Sequence, residues 1–126
     1  MAFKNILLID DDEDDQEIFI MAVNRLDCGV VCEPMSDAKE SLVRLKNGDI
    51  IPELIFLDLN MPGMNGRQFL EIIKNDDTLS HIPVIIFSTS NDPATIRETK
   101  SVGAKDFITK PGDFNHLINV LRPIFC

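Results

Sequence analysis

The stretch from residue 54 to residue 66, LIFLDLNMPGMNG, decides the fold of this chain. Its first four residues are apolar and lead directly into one carboxylate, Asp58, after which turn-forming residues follow. A short apolar run bounded by turn residues is typical of a buried parallel strand. Ligands of open α/β sheets bind at the carboxyl ends of such strands, so we interpret Asp58 as the reactive carboxylate. A lone aspartate more often caps a helix or ends a strand, so this interpretation depends on the other strand ends.

Four more strand candidates lie around this stretch, at residues 6–9, 30–32, 84–87 and 106–109. Helical patterns alternate with the strands and cover approximately residues 10–27, 37–47, 66–75, 93–102 and 113–121. Strands that alternate with helices predict a parallel sheet with helices on both faces. The pattern over 93–102 is mostly polar, so we expect this helix to pack only shallowly.

Length and composition indicate one globular domain. The 126 residues suffice for one core, and the net charge of −9 argues against nucleic acid and an anionic membrane surface as partners. The start of the chain has no signal-peptide pattern, and no apolar run approaches the roughly 18 residues of a membrane span, so we expect a cytoplasmic protein. Cys28, Cys32 and Cys126 are odd in number, and reduced thiols are their simplest interpretation.

Polar side chains follow four of the five predicted strands. Asp10 and Asp11 come after the first, Asp58 after the third, Ser88 after the fourth and Lys110 after the fifth. Neighbouring strands are about 4.8 Å apart, so these groups can converge at one edge of the sheet. Three carboxylates in one pocket repel each other, and a hard cation such as Mg²⁺ relieves that repulsion with oxygen ligands. No histidine or cysteine is among them, which disfavours zinc.

The remaining two groups suit a phosphoryl group. The ammonium of Lys110 neutralises charge on phosphoryl oxygens, and the hydroxyl of Ser88 donates a hydrogen bond. We therefore predict phosphoryl transfer to a carboxylate, which forms an acyl phosphate on Asp58 with the help of Mg²⁺.

Four motifs together make the chain similar to a known family: LLIDDD, FLDLNMPGMNG, PVIIFSTS and DFITKP, in this order and spacing. Over essentially its whole length the chain resembles a response-regulator receiver domain of two-component signalling. The resemblance implies a flavodoxin-like, doubly wound sheet of five parallel strands in the order 2-1-3-4-5 with five helices. It also implies one receiver domain over residues 1–126 with no output domain.

The resemblance gives a role to each acidic residue. Asp58 matches the phosphoacceptor, and Asp10 and Asp11 match the acidic pair, with Asp11 the direct Mg²⁺ ligand and Asp10 acting mostly through water. Asn60 matches the position whose backbone carbonyl completes the metal site. Mn²⁺ is expected to substitute for Mg²⁺.

The resemblance also identifies the switching residues. Ser88 matches the hydroxyl that follows the phosphoryl group, and Lys110 matches the phosphate-contacting lysine. Phe107 matches the aromatic switch position, where tyrosine is common; phenylalanine lacks the hydroxyl, so its movement must rest on packing alone. By the same resemblance, Asn60 and Ser90 tune the lifetime of the phosphoryl group.

The implied function is that of a stand-alone response regulator, a phosphoacceptor module rather than an enzyme with a separate substrate. The phosphoryl donor would be a sensor histidine kinase or a histidine phosphotransfer protein. The face made by helix 4, strand 5 and helix 5 would change on phosphorylation and bind a downstream protein or a second copy of the chain.

Two alternatives remain open at this stage. One is a Mg²⁺-dependent phosphohydrolase, although haloacid-dehalogenase-type enzymes carry an acid where this chain has Asn60. The other is a degenerate receiver that serves only as a scaffold, against which the complete set of acids, hydroxyl and lysine argues. We further expect residues 12–15 to form a solvated helix start, and plain core packing is the simpler alternative for Phe107.

Overall fold

The computed structural model describes residues 3–126, and in this part of the chain five strands and five helices alternate. The strands are β1 (Asn5–Ile9), β2 (Val31–Met35), β3 (Leu54–Leu57), β4 (Val84–Ser88) and β5 (Asp106–Thr109). The helices are α1 (Glu13–Leu26), α2 (Ala38–Asn47), α3 (Gly66–Lys74), α4 (Pro93–Val102) and α5 (Phe114–Phe125).

All strand pairs are parallel, and the order across the sheet is β2-β1-β3-β4-β5. The predicted flavodoxin-like, doubly wound fold is therefore confirmed. Because β1 and β3 are neighbours in the centre of the sheet, the residues that follow these two strands lie side by side at its edge. The residues that follow β4 and β5 lie beside them at the same edge.

Two hydrophobic cores lie on opposite faces of the sheet, and alternate residues of each central strand enter them. In β3, Ile55 and Leu57 pack with α2 and α3, whereas Leu54 and Phe56 pack with α1 and α5. All four side chains are fully buried. Burial on both faces explains why this strand has a continuous apolar sequence rather than an alternating one.

Every helix begins with an aspartate or asparagine that caps its amino end. The side chain at each of these positions accepts hydrogen bonds from backbone N–H groups of the first turn, which satisfies donors that have no partner within the helix. The capping residues are Asp12, Asp37, Asn65, Asp92 and Asp113.

Two elements extend more than two residues beyond their predicted ends. Strand β2 continues through Pro34 to Met35, because β2 is an edge strand and a missing N–H there costs little. Helix α5 continues through Pro123 to Phe125. Phe125 is fully buried against Phe19 and Phe56, so burial of its ring outweighs the helix-breaking effect of the proline.

The expectation of three reduced thiols is wrong in this structure. Cys28 and Cys126 form a disulfide, and Cys32 is the free cysteine among the described residues. Burial, together with the neighbouring Glu33 carboxylate, raises the pKa of the Cys32 thiol to about 12. Within residues 3–126, none of the helices is both long enough and apolar enough to cross a membrane.

Candidate functional site

The backbone ladder of the sheet extends into the residues that follow the strands. The amide of Asp10 donates to the carbonyl of Met35 at 3.0 Å, and the amide of Asp58 donates to the carbonyl of Ile9 at 3.0 Å. The amide of Lys110 donates to the carbonyl of Ser88 at 2.7 Å. These bonds fix the backbone at Asp10, Asp58 and Lys110, so these three side chains project from a rigid edge.

Asp10 is the most deeply buried acid of the site, with 1% of its surface exposed. One carboxylate oxygen accepts from the amide of Asp12 at 3.0 Å, and the other accepts from the Lys110 ammonium at 2.8 Å. The buried side chain of Gln16 donates to the backbone carbonyl of Asp10 at 2.6 Å and to the hydroxyl of Ser36 at 3.1 Å. Gln16 was not singled out from the sequence; it supports the position of Asp10.

Asp58 lies beside Asp10 and is 6% exposed. Its Oδ1 accepts from the amide of Asn60 at 3.2 Å, and its Oδ2 is 3.5 Å from Lys110 Nζ. Burial raises the pKa of the Asp58 carboxyl above its ordinary value, and the charge of Asp10 acts in the same direction. The ammonium of Lys110 and the amide of Asn60 oppose this rise, because both stabilise the carboxylate.

Lys110 reaches three carboxylates at once. Its Nζ is 2.8 Å from Asp10, 2.9 Å from Asp15 and 3.5 Å from Asp58, and it also lies 5.8 Å from the centre of the Phe87 ring. Burial favours the neutral amine, but the hydrogen bonds to Asp10 and Asp15 and the charges of Asp10 and Asp58 outweigh it. The pKa of Lys110 is therefore raised above its ordinary value, and the side chain remains an ammonium.

The structure corrects the expectation for one residue of the acidic run. Asp12 caps α1, and Glu13 and Asp14 are exposed, as a solvated helix start requires. Asp15 instead turns toward the site and pairs with Lys110. The sequence pattern did not identify this contact. The direction of the Asp15 side chain depends on the rotation of α1 about its axis, and the pattern does not fix that rotation to within one residue.

The acidic residues fit a divalent cation. Asp10, Asp11 and Asp58 each offer an oxygen, and these oxygens lie within 4.8 Å of one another. Their donor chemistry is that of a hard-cation site, because carboxylate oxygens are the ligands that Mg²⁺ and Mn²⁺ prefer. With Asp15 included, four carboxylates lie at this edge, and Lys110 pairs with three of them, so negative charge remains for a cation to balance.

Ser88, Asn60 and Ser90 lie at or after strand ends on the same edge of the sheet, whereas Phe107 lies within β5. Ser88 is fully buried at the end of β4, and its hydroxyl oxygen accepts from the amide of Ser90 at 3.4 Å. Asn60 and Ser90 line one cleft between the loop that follows β3 and α4. Phe107 is half-buried and packs against the core that contains Ile86.

Comparison with known proteins agrees with this arrangement. The model of the response regulator receiver domain family matches residues 6–122. A two-component response regulator of rice, ORR8 from Oryza sativa subsp. indica, is 32% identical over 111 residues, which cover 88% of this chain and 89% of the rice protein.

Two solved structures are similar over nearly the whole chain. The phosphorylated cyanobacterial phytochrome response regulator RcpA has a TM-score of 0.87 at 30% identity and covers 98% of this chain and 91% of its own. The Mn²⁺-bound form of the response regulator Rcp1 has a TM-score of 0.85 at 25% identity and covers 96% of this chain and 91% of its own. Together with the sheet order and the acidic edge, these matches show that the chain belongs to the response regulator receiver domain family, the signalling module of two-component systems.

Proposed function

We propose that Asp58 accepts a phosphoryl group from the phosphohistidine of a sensor histidine kinase or a histidine phosphotransfer protein. The observation that carries the proposal is the convergence of Lys110 with the carboxylates of Asp10 and Asp58 at one edge of the sheet. An ammonium beside a nearly buried carboxylate balances the charge of an incoming phosphoryl group. The phosphorylated state of the relative RcpA supports this choice.

The transfer is a displacement at phosphorus. A carboxylate oxygen of Asp58 forms the new O–P bond while the P–N bond of the donor breaks, and the electron pair stays on the imidazole nitrogen, which takes a proton from water. In this reaction the phosphoryl oxygens gain their stabilisation from Lys110 and from the hydroxyl of Ser88. The amide of Asn60 holds the other carboxylate oxygen of Asp58, so the attacking oxygen is kept in one orientation.

Asp10 and Asp11 would hold the cation together with Asp58 and the backbone carbonyl of Asn60. When bound, Mg²⁺ supplies positive charge that screens the acids from the phosphoryl oxygens. Mn²⁺ offers the same charge and ligand preference, and the Mn²⁺-bound form of the relative Rcp1 supports this substitution.

We propose that the face formed by α4, β5 and α5 transmits the phosphorylation signal to other proteins. The phosphoryl group favours a state in which the hydroxyl of Ser88 moves toward it, and Phe107 then occupies the space that Ser88 leaves. The altered face would bind a downstream protein or a second copy of the chain. Asn60 and Ser90, which line the cleft beside the site, would set how fast water removes the phosphoryl group.

Incubation of the purified protein with acetyl phosphate and Mg²⁺ tests the proposal. We expect intact-mass spectrometry to show the gain of one acid-stable, base-labile phosphoryl group, and acetate to be the leaving group. Asp58→Asn should abolish the gain of mass, because an amide replaces the carboxylate that accepts the phosphoryl group. Removal of Mg²⁺ by a chelator should suppress the gain.

Asp77→Asn is the matched control, since Asp77 is an exposed aspartate in the turn that follows α3 and its change removes the same charge. Full labelling of Asp58→Asn, or equal loss of labelling in both variants, would contradict the assignment of Asp58.

A further inference from the structure

We propose that Asp15 is a positioning residue that holds the Lys110 ammonium in place for phosphoryl transfer to Asp58. This inference rests on the proposed function, and it extends that function to a residue of α1. The contact joins positions 95 residues apart in the sequence, and its N–O distance is 2.9 Å. It is therefore a tertiary contact of the site and not a local feature of the helix start.

The first argument is the number of donors. A lysine ammonium has three N–H groups and no acceptor, and Lys110 has three carboxylate partners. The contacts with Asp10 and Asp15 have the length of charge-assisted hydrogen bonds, whereas the contact with Asp58 is longer at 3.5 Å. Asp10 and Asp15 together thus fix the ammonium and leave the third N–H directed toward Asp58 and any group attached to it.

The second argument is that Asp15 lies outside the cation site. Asp10 and Asp58 belong to the acidic cluster with Asp11, so a bound cation would share their oxygens. Asp15 is the one carboxylate partner of Lys110 in the described chain that is not a member of this cluster. It can therefore keep its hydrogen bond to Lys110 when the other two carboxylates serve the cation.

The third argument is the rigidity of the support. Asp15 is the third residue of α1, and its amide donates to the capping side chain of Asp12 at 3.2 Å. The amide of Asp12 in turn donates to the Asp10 carboxylate. The helix start and the site are thus one hydrogen-bonded unit. Because the backbone of Asp15 is held in this way, its carboxylate can position Lys110 at a lower entropic cost than a mobile partner could.

The test compares Asp15→Asn with Asp14→Asn, which removes the same charge from the same turn at an exposed position. At subsaturating acetyl phosphate with Mg²⁺, we expect Asp15→Asn to label Asp58 about tenfold more slowly, because a misplaced catalytic group loses much of its effect. Asp14→Asn should change the rate by less than about twofold, as surface substitutions do. Asp15→Glu, which keeps the charge, should recover part of the rate.

Two further measurements separate positioning from a merely structural effect. In a Lys110→Ala background, Asp15→Asn should cause no additional slowing, because Asp15 acts through Lys110. In the unphosphorylated, metal-free protein, the ¹⁵N-detected signal of the Lys110 ammonium should weaken in Asp15→Asn and persist in Asp14→Asn.

The inference is overturned if Asp15→Asn and Asp14→Asn have the same labelling rate, if the slowing persists undiminished without Lys110, or if the ammonium signal is unchanged. Failure of the parent protein to label at all would instead refute the proposed function. The ammonium measurement would then still report whether Asp15 holds Lys110.

Discussion

Gly66 determines how closely the start of α3 approaches the loop that follows β3. A Cβ atom at this position would lie 2.3 Å from the backbone oxygen of Asp58 and 2.7 Å from the Cα of Leu59. The amide of Gly66 also donates to the carbonyl of Leu59 at 3.1 Å, which closes the loop on itself. Because both obstructing atoms belong to the backbone, no side-chain rotation can make room for a larger residue.

Gly66→Ala should therefore lower the free energy of unfolding by about 1–3 kcal/mol, the usual cost of overpacking. It should also slow phosphorylation of Asp58, since the loop that orients this carboxylate must shift. Urea unfolding followed by far-ultraviolet circular dichroism measures the first effect; the chain contains no tryptophan or tyrosine for fluorescence. Gly112→Ala is the control, because a Cβ there meets nothing within 4 Å. Equal stability of the two variants would refute the packing argument.

Among the helices, α4 has the fewest buried residues: Thr99 is its one buried residue. Surface ion pairs connect it to its neighbours, from Arg67 of α3 to Glu98 and from Lys100 to Asp106 of β5 at 3.7 Å. Exposed pairs of this kind contribute only about 0–1 kcal/mol each. We therefore expect α4 to be the helix that moves at the lowest free-energy cost when the site changes.

We expect a beryllofluoride mimic of the phosphoryl group at Asp58 to change amide hydrogen exchange chiefly in residues 88–110. This range contains the end of β4, all of α4 and β5, and Lys110. Hydrogen exchange with mass spectrometry, with and without the mimic, measures the effect. Asp58→Asn treated in the same way is the control and should show no change. Exchange differences restricted to residues 58–66, with 93–110 unaffected, would contradict the proposed switching face.

The elements that could be predicted from sequence are those whose signals are local. Continuous apolar strands and the polar residues that follow them define the convergence of Asp10, Asp58 and Lys110, because the edge of a parallel sheet brings strand ends together. Three features required knowledge of packing. The end of α5 depends on burial of Phe125, the contact of Asp15 on the orientation of α1, and the disulfide on how the ends of α1 and α5 meet.

Considered as a whole, the molecule has its site at one end and a covalent link at the other. Helices α1 and α5 both begin at the edge that carries Asp58, so the residues that follow them, Cys28 and Cys126, meet at the opposite end. The ammonium of Lys4 donates there to the carbonyl of Cys28 and, at 3.4 Å, to that of Phe125. The start, the first helix and the last helix of the described chain are thus joined at one place.

Reduction of this disulfide should lower stability and leave the phosphorylation chemistry unchanged. The bond closes a loop with a sequence separation of 98 residues, and constraining so long a loop in the unfolded chain contributes roughly 2–4 kcal/mol. Urea unfolding of the oxidised and reduced protein measures the loss, and Cys28→Ser should reproduce it. The control is the reducing agent itself, which should have no effect on the stability of Cys28→Ser.

The rate of labelling of Asp58 by acetyl phosphate should be the same in both redox states, because the disulfide lies at the end of the molecule remote from Lys110. Equal unfolding free energies, or a labelling rate that depends on the redox state, would contradict this separation of stability from function.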